Sequence, residues 1–215
     1  FISPAIAARV GCVPSGRGAG LRASGERIDF QYCPEVTLLI GGVSFDRPKV
    51  AVWDVQAVLP DGVPTVDGVL SLDVFARQPV TLDLKRRQLT LETAGSLERR
   101  IDSMNELQAR LATGSDGDEL TVFVRATAPA AGWLLIDSGN LDVVRVAEHF
   151  RNPQAGADGT WEVPLKLAGM PETRSTFRAA DIIYDGMLSE ELLRQWMMTF
   201  DLASPRVWAS VQADP

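Results

Sequence analysis

One histidine and two cysteines in 215 residues leave little material for soft metal ligation. A Cys/His zinc site or an iron–sulfur centre needs three or four such ligands at fixed spacing, so both are excluded, and no cofactor is expected. Any Ser-His-Asp or Cys-His mechanism would rest on His149 alone, and the stretch Val146-Ala-Glu-His-Phe150 reads as helix with His149 on its surface. Long basic runs are also missing. With 21 basic against 28 acidic residues the net charge is −7, which argues against a nucleic-acid partner. No apolar run approaches bilayer length; the longest, such as Trp133-Leu-Leu-Ile136, are strand-sized, so no membrane span is expected.

The remainder, 46% apolar and 23% charged, is the composition of a globular chain holding one large domain or two small ones. Cys12 and Cys33 fit either one disulfide in an oxidising compartment or two buried thiols, and their spacing does not decide between them. The sequence opens on Phe1, with no basic stretch leading into an apolar one. A removed or preceding segment is therefore expected.

The most informative feature is internal similarity. Asp67-Gly-Val-Leu-Ser-Leu-Asp-Val-Phe-Ala-Arg-Gln-Pro-Val-Thr-Leu-Asp-Leu84 aligns without gaps on Asp185-Gly-Met-Leu-Ser-Glu-Glu-Leu-Leu-Arg-Gln-Trp-Met-Met-Thr-Phe-Asp-Leu202, with seven of 18 positions identical at an offset of 118. Upstream, Val36-Thr-Leu-Leu-Ile-Gly-Gly-Val43 matches Val163-Pro-Leu-Lys-Leu-Ala-Gly-Met170 at an offset of 127. The order is the same in both copies, which predicts two similar lobes.

Each copy has a physical reading. Ser71 and Ser189 sit where N-caps belong, with Asp73, Glu190 and Glu191 in the first turn, so short helices are expected there. Val80-Thr-Leu-Asp-Leu84 and Gln88-Leu-Thr-Leu-Glu92 alternate about Lys85-Arg-Arg87 as a hairpin does, and Met198-Thr-Phe-Asp-Leu202 with Arg206-Val-Trp-Ala-Ser210 repeats it. Asp67-Gly68 and Asp185-Gly186 read as turn formers. Ser3, Pro4 and Gly11 frame a helix as its N-cap, first residue and stop. Leu97, Ile101, Met104, Leu107 and Leu111 fall at helical spacing, with Ser96 as cap and Gly114 as stop. Residues 94–118 are thus expected to be a helical connector between a first lobe, 1–93, and a second, 119–215, opened by the strand Glu119-Leu-Thr-Val-Phe-Val-Arg-Ala126. Trp53, Trp133, Trp161, Trp196 and Trp208 are assigned to the core.

The apolar strand Trp133-Leu-Leu-Ile136 runs directly into Asp137-Ser138-Gly139 and Asn140. Such a strand fixes a carboxylate, the hydroxyl residue ties the loop, and glycine lets the backbone turn beside it. Residues 142–150 then read as helix, followed by the hairpin at 163–170 and the Asp-Gly-Met-Leu-Ser block. This order resembles one lobe of the retropepsin-like and pepsin-like aspartic proteases, and the Val66-Asp-Gly-Val-Leu-Ser segment of the first copy is similar to that family's apolar-apolar-Gly block. Two departures stand out. Ser71 and Ser189 occupy the family's glycine position, and residues 1–93 hold no Asp-Thr/Ser-Gly, so the chain would begin just downstream of its first half-site.

The resemblance implies a mostly β, bilobal acid-protease fold with short helices and two pseudo-symmetric lobes. It also implies an aspartic endopeptidase acting on polypeptide, in which Asp137, oriented by Ser138 and Gly139, is one of two carboxylates that share a proton and activate water. Gly18, Ala19 and Gly20, within Ser15-Gly-Arg-Gly-Ala-Gly20, are the candidate substrate-covering flap. An exported, periplasmic or secreted monomer is expected. Two alternatives remain open: a catalytically incomplete peptide-binding module of the same fold, and a structural β domain in which Asp137 caps a turn.

Overall fold

The computed structural model describes residues 1–113 and 120–212. The chain is mostly β and divides into two compact units, Phe1–Val74 and Phe75–Pro215.

In the first unit, helix α1 (Pro4–Arg9) begins as its sequence requires. Ser3 accepts a hydrogen bond from the Ile6 amide, Pro4 supplies a preset φ, and Gly11 leaves the helix at φ +73°. Strands β1 (Ser15–Leu21), β2 (Arg27–Ile40) and β3 (Val43–Val52) form an antiparallel sheet in that order. Gly41 and Gly42, both at positive φ, make the two-residue turn between Ile40 and Val43 that only such residues adopt easily. The core of this unit is small: Ala7, Cys33 and Val52, with Ile2, Cys12 and Val36 packed around them. A disulfide between Cys12 and Cys33 ties the segment just after α1 to β2 and resolves the choice that the sequence left open. A 3-10 turn, Leu72–Phe75, follows Ser71 where a helix was expected.

The second unit contains two sheets. Strands β4 (Val80–Asp83) and β5 (Gln88–Leu91) form the expected hairpin. Helix α2 (Ala94–Ile101), strands β6 (Asn105–Leu107), β7 (Ala109–Thr113), β8 (Leu120–Ala128), β9 (Gly132–Leu135), β10 (Val144–Ala147), β11 (Thr160–Leu167), β12 (Thr173–Ala180) and β13 (Gly186–Met187), helix α3 (Glu190–Leu193), and strands β14 (Trp196–Asp201) and β15 (Arg206–Val211) complete it. One sheet runs β5-β4-β14-β15-β6. In the other, β11-β12-β10-β13-β9-β8 closes on itself through the β11–β8 pairing, giving a six-stranded barrel with β7 attached outside. Closure removes the unpaired edges that an open sheet would expose. Leu134, Val146, Trp161, Leu165 and Phe177 are buried on its strands.

The two internal offsets reappear in the pairing. In β4 and β14, Thr81 lies opposite Thr199, 118 residues away, and the ladder runs antiparallel about that pair. Ile2 bridges Val52 in parallel and Gly68 in antiparallel, while in the barrel Val146 is flanked in the same two senses by Ala179 and Gly186. The counterparts of Val52 and Gly68 thus lie at the offsets of 127 and 118.

Several local expectations give way to strand pairing. The helix expected to reach Leu111 stops at Ile101, and its cap is Thr93, which forms a reciprocal capping box with Ser96. Leu107 and Leu111 lie on β6 and β7, whose ladders with β15 and β8 override their helical spacing. Residues 142–150 are not one helix. The β-branched Val144 and Val146 form β10, paired on both sides, and Glu148–Phe150 makes a single 3-10 turn with His149 exposed. Trp161, Trp196 and Trp208 are buried, whereas Trp53 and Trp133 are half-buried. The expected Gly114 stop, the boundary at 114–118 and the strand start at Glu119 lie outside the described residues.

Candidate functional site

The Asp137-Ser138-Gly139 loop leaves the end of β9 as its sequence suggested. Its geometry follows from three anchors. The Asp137 carboxylate turns back on its own loop and accepts the Gly139 amide at 2.8 Å. The next residue, Asn140, is buried and donates through Nδ2 to the carbonyls of Val143 (3.1 Å) and Leu188 (3.4 Å). Its own carbonyl accepts the Glu190 amide at 2.9 Å, at the first residue of α3. Ser189 caps that helix by accepting the Leu192 amide. The tripeptide and the Asp-Gly-Met-Leu-Ser block, 48 residues apart at Asn140 and Leu188, are thereby brought together.

Asp137 is half-buried, while Ser138 and Gly139 are exposed. Burial raises the Asp137 carboxyl above its ordinary range, and the amides of Gly139 and Asn140 and the charge of Arg145 offset this only in part. Nearby, Asp142 takes Arg178 at 2.5 Å and Arg145 at 3.5 Å, so the two arginines of β10 and β12 share one carboxylate.

The Asp185-Gly186 pair is not a simple turn. Asp185 accepts the Trp133 amide on its carboxylate at 2.8 Å and the Ala147 amide on its carbonyl at 3.0 Å. Gly186 lies in β13 between β9 and β10, where a Cβ would sit 2.6 Å from Leu134 Cδ2 and 2.7 Å from the Arg145 carbonyl oxygen. Gly68 is likewise excluded from bearing a side chain, because a Cβ would lie 2.5 Å from the Phe1 carbonyl oxygen. These glycines are set by close backbone approach, and the repetition of Asp-Gly at the 118 offset was the sequence signal for it.

Gly18, Ala19 and Gly20 lie on strand β1, paired in register with Phe30, Asp29 and Ile28 of β2. The absence of a side chain at Gly18 makes room for the Phe30 and Tyr32 rings, which meet edge to face at 5.5 Å. This stretch belongs to a hairpin, and its sheet partners are those of the first unit.

A second feature was invisible in the sequence. At one end of the barrel a cavity of about 250 Å³ is walled by buried Trp161, Leu165, Phe177, Leu134 and Val146, with His149, Arg151 and Asp185 among its polar residues. The alternation of Trp161, Val163 and Leu165 is legible along β11, but which strands close around them depends on long-range pairing.

No family model matches the chain, and no curated protein matches it. Among solved structures it is similar to basic 7S globulin from soybean, with a TM-score of 0.54 at 11% identity over 92% of this chain and 72% of the other. It is also similar to conglutin gamma, a unique basic 7S globulin from lupine seeds, with a TM-score of 0.53 at 11% identity over 92% and 73% of the two chains. At that identity the likeness establishes the fold alone. The expectation of an aspartic peptidase is corrected by these neighbours, which are globulins. A strand running into Asp-Ser-Gly is also what a self-capped turn requires, and the tripeptide by itself did not distinguish the two.

Proposed function

We propose that the chain is a non-catalytic structural β protein, built as two sister halves on a globulin-like fold and exported to an oxidising compartment. The likeness to two basic 7S globulins carries this reading. The use of the Asp137 carboxylate is consistent with it: bonded to the Gly139 amide, it closes the loop that holds β9 against the start of α3. On this reading Asp137, Ser138 and Gly139 are a structural turn, and Gly18, Ala19 and Gly20 belong to a sheet rather than to a lid. The Cys12–Cys33 disulfide supports the compartment, since such bonds persist where thiols are not kept reduced. The sister halves are supported by the pairing of Thr81 with Thr199 and by the matching surroundings of Ile2 and Val146.

The test is incubation of the purified chain with fluorescently labelled unfolded casein between pH 3 and pH 7. No release of label above the buffer blank is expected; cleavage that disappears in Asp137→Asn would overturn the proposal.

A further inference from the structure

We propose that the cavity at the barrel mouth is a site for a small molecule, an uncharged compound of one or two fused rings bearing a hydroxyl group. Strands β8, β9, β10, β11 and β12 of the barrel supply one part of the lining, and the segments at 129–130 and 149–153 supply the rim. Trp161 and Phe177, cross-strand partners stacked on each other with ring planes 16° apart and centroids at 6.1 Å, form the aromatic side of the lining, and Leu134, Val146 and Leu165 complete an aliphatic floor. Flat hydrocarbon surface is the natural complement to such walls.

Size and charge narrow the class. An apolar cavity of roughly 150 Å³ holds a benzene ring, so the 250 Å³ present here suits about ten non-hydrogen atoms. The one guanidinium at the rim, Arg151, is already engaged by both oxygens of Glu148, at 2.9 and 2.7 Å. It is therefore not held out for an anion. Asp185 adds a carboxylate to the wall, which repels a second negative charge and accepts a hydrogen bond from a hydroxyl. His149, exposed on the 3-10 turn at the rim, offers a further polar contact. A cationic ligand is disfavoured by the apolar floor, where an ammonium would lose its water.

The experiment is a titration of the full chain with 2-naphthol, followed by amide NMR shifts, with naphthalene-2-sulfonate as the anionic comparator. Binding with a Kd on the order of 0.1 mM is expected from the efficiency of small apolar ligands, with the shifts centred on residues around Trp161 and Phe177. The sulfonate should bind at least tenfold more weakly. Ala130→Phe, placed at the half-buried rim, should fill the mouth and weaken 2-naphthol at least tenfold while the circular dichroism spectrum is unchanged. Should that variant misfold, Val163→Phe on β11 makes the same test from a second lining position. No binding up to 5 mM, unchanged affinity in the folded filled variant, or equal binding of the sulfonate would each overturn the proposal.

Discussion

Thr81 and Thr199, 118 residues apart, face each other in the β4–β14 ladder with their buried hydroxyl oxygens 2.8 Å apart. Proton bookkeeping orients the pair. Thr81 donates to Glu92 Oε1 at 2.7 Å, and a carboxylate can only accept, so the proton between the hydroxyls belongs to Thr199. The chain therefore runs Thr199 to Thr81 to Glu92, and the carboxylate also receives Ser96 Oγ and Arg100 Nε. Position 92 in one copy corresponds to Ser210 in the other, so the network breaks the symmetry of the sheet around it.

Glu92 is a buried carboxylate of the second unit. Burial alone would raise its carboxyl, but the hydrogen bonds from Ser96, Thr81 and Arg100, with Arg100's charge, outweigh burial and leave it lowered. A carboxyl lowered by folding contributes stability that is present above its unfolded value, near pH 4.5, and is lost as pH falls through the folded value. Glu92→Ala leaves a half-buried guanidinium and two hydroxyls without their partner. A loss of about 3–5 kcal/mol at pH 7 is expected, with a smaller difference from the wild type in acid. Urea unfolding at pH 7 and pH 3 measures both.

The Cys12–Cys33 bond closes a loop 21 residues long over a core of only a few side chains. Reducing it, or replacing both cysteines by serine, is expected to cost about 3 kcal/mol. Hydrogen exchange reports where: amides of β1, β2 and β3 should lose protection while those of the barrel keep theirs.

Gly186 has no room for a methyl group between β9 and β10. Gly186→Ala is expected to cost about 1–3 kcal/mol through displaced strands, as a fall in the urea midpoint. At Gly159, by contrast, a methyl group would meet nothing within 4 Å, but φ is +76°, so there a substitution would be resisted by the backbone alone.

Much of the sheet framework was legible because alternation and turn chemistry are local. The hairpin about Lys85-Arg-Arg87 and its repeat, 198–202 with 206–210, fall where the pattern placed them. The error at Leu107 and Leu111 has a physical source: helical spacing is a local signal, while pairing with β15 and β8 is not. The loop at Asp137 was legible as a turn after a strand. The anchoring role of Asn140 was not, because its partner Leu188 is 48 residues away. The peptidase reading rested on a tripeptide and the order of the elements around it, and the likeness to the two globulins overturns it.

That Asp137 serves its own loop is tested most directly by comparing Asp137→Asn and Asp137→Ala with the wild type in urea across pH. Asn keeps an acceptor for the Gly139 amide, whereas Ala removes it at a cost of about 1 kcal/mol. Because burial raises the Asp137 carboxyl in the fold, its contribution to stability is greatest below the unfolded value of 3.8 and is lost as pH rises through the folded value. Asp137→Asn should therefore match or exceed the wild type at pH 7 and Asp137→Ala should fall below it; equal damage from both substitutions would contradict the loop-closing role.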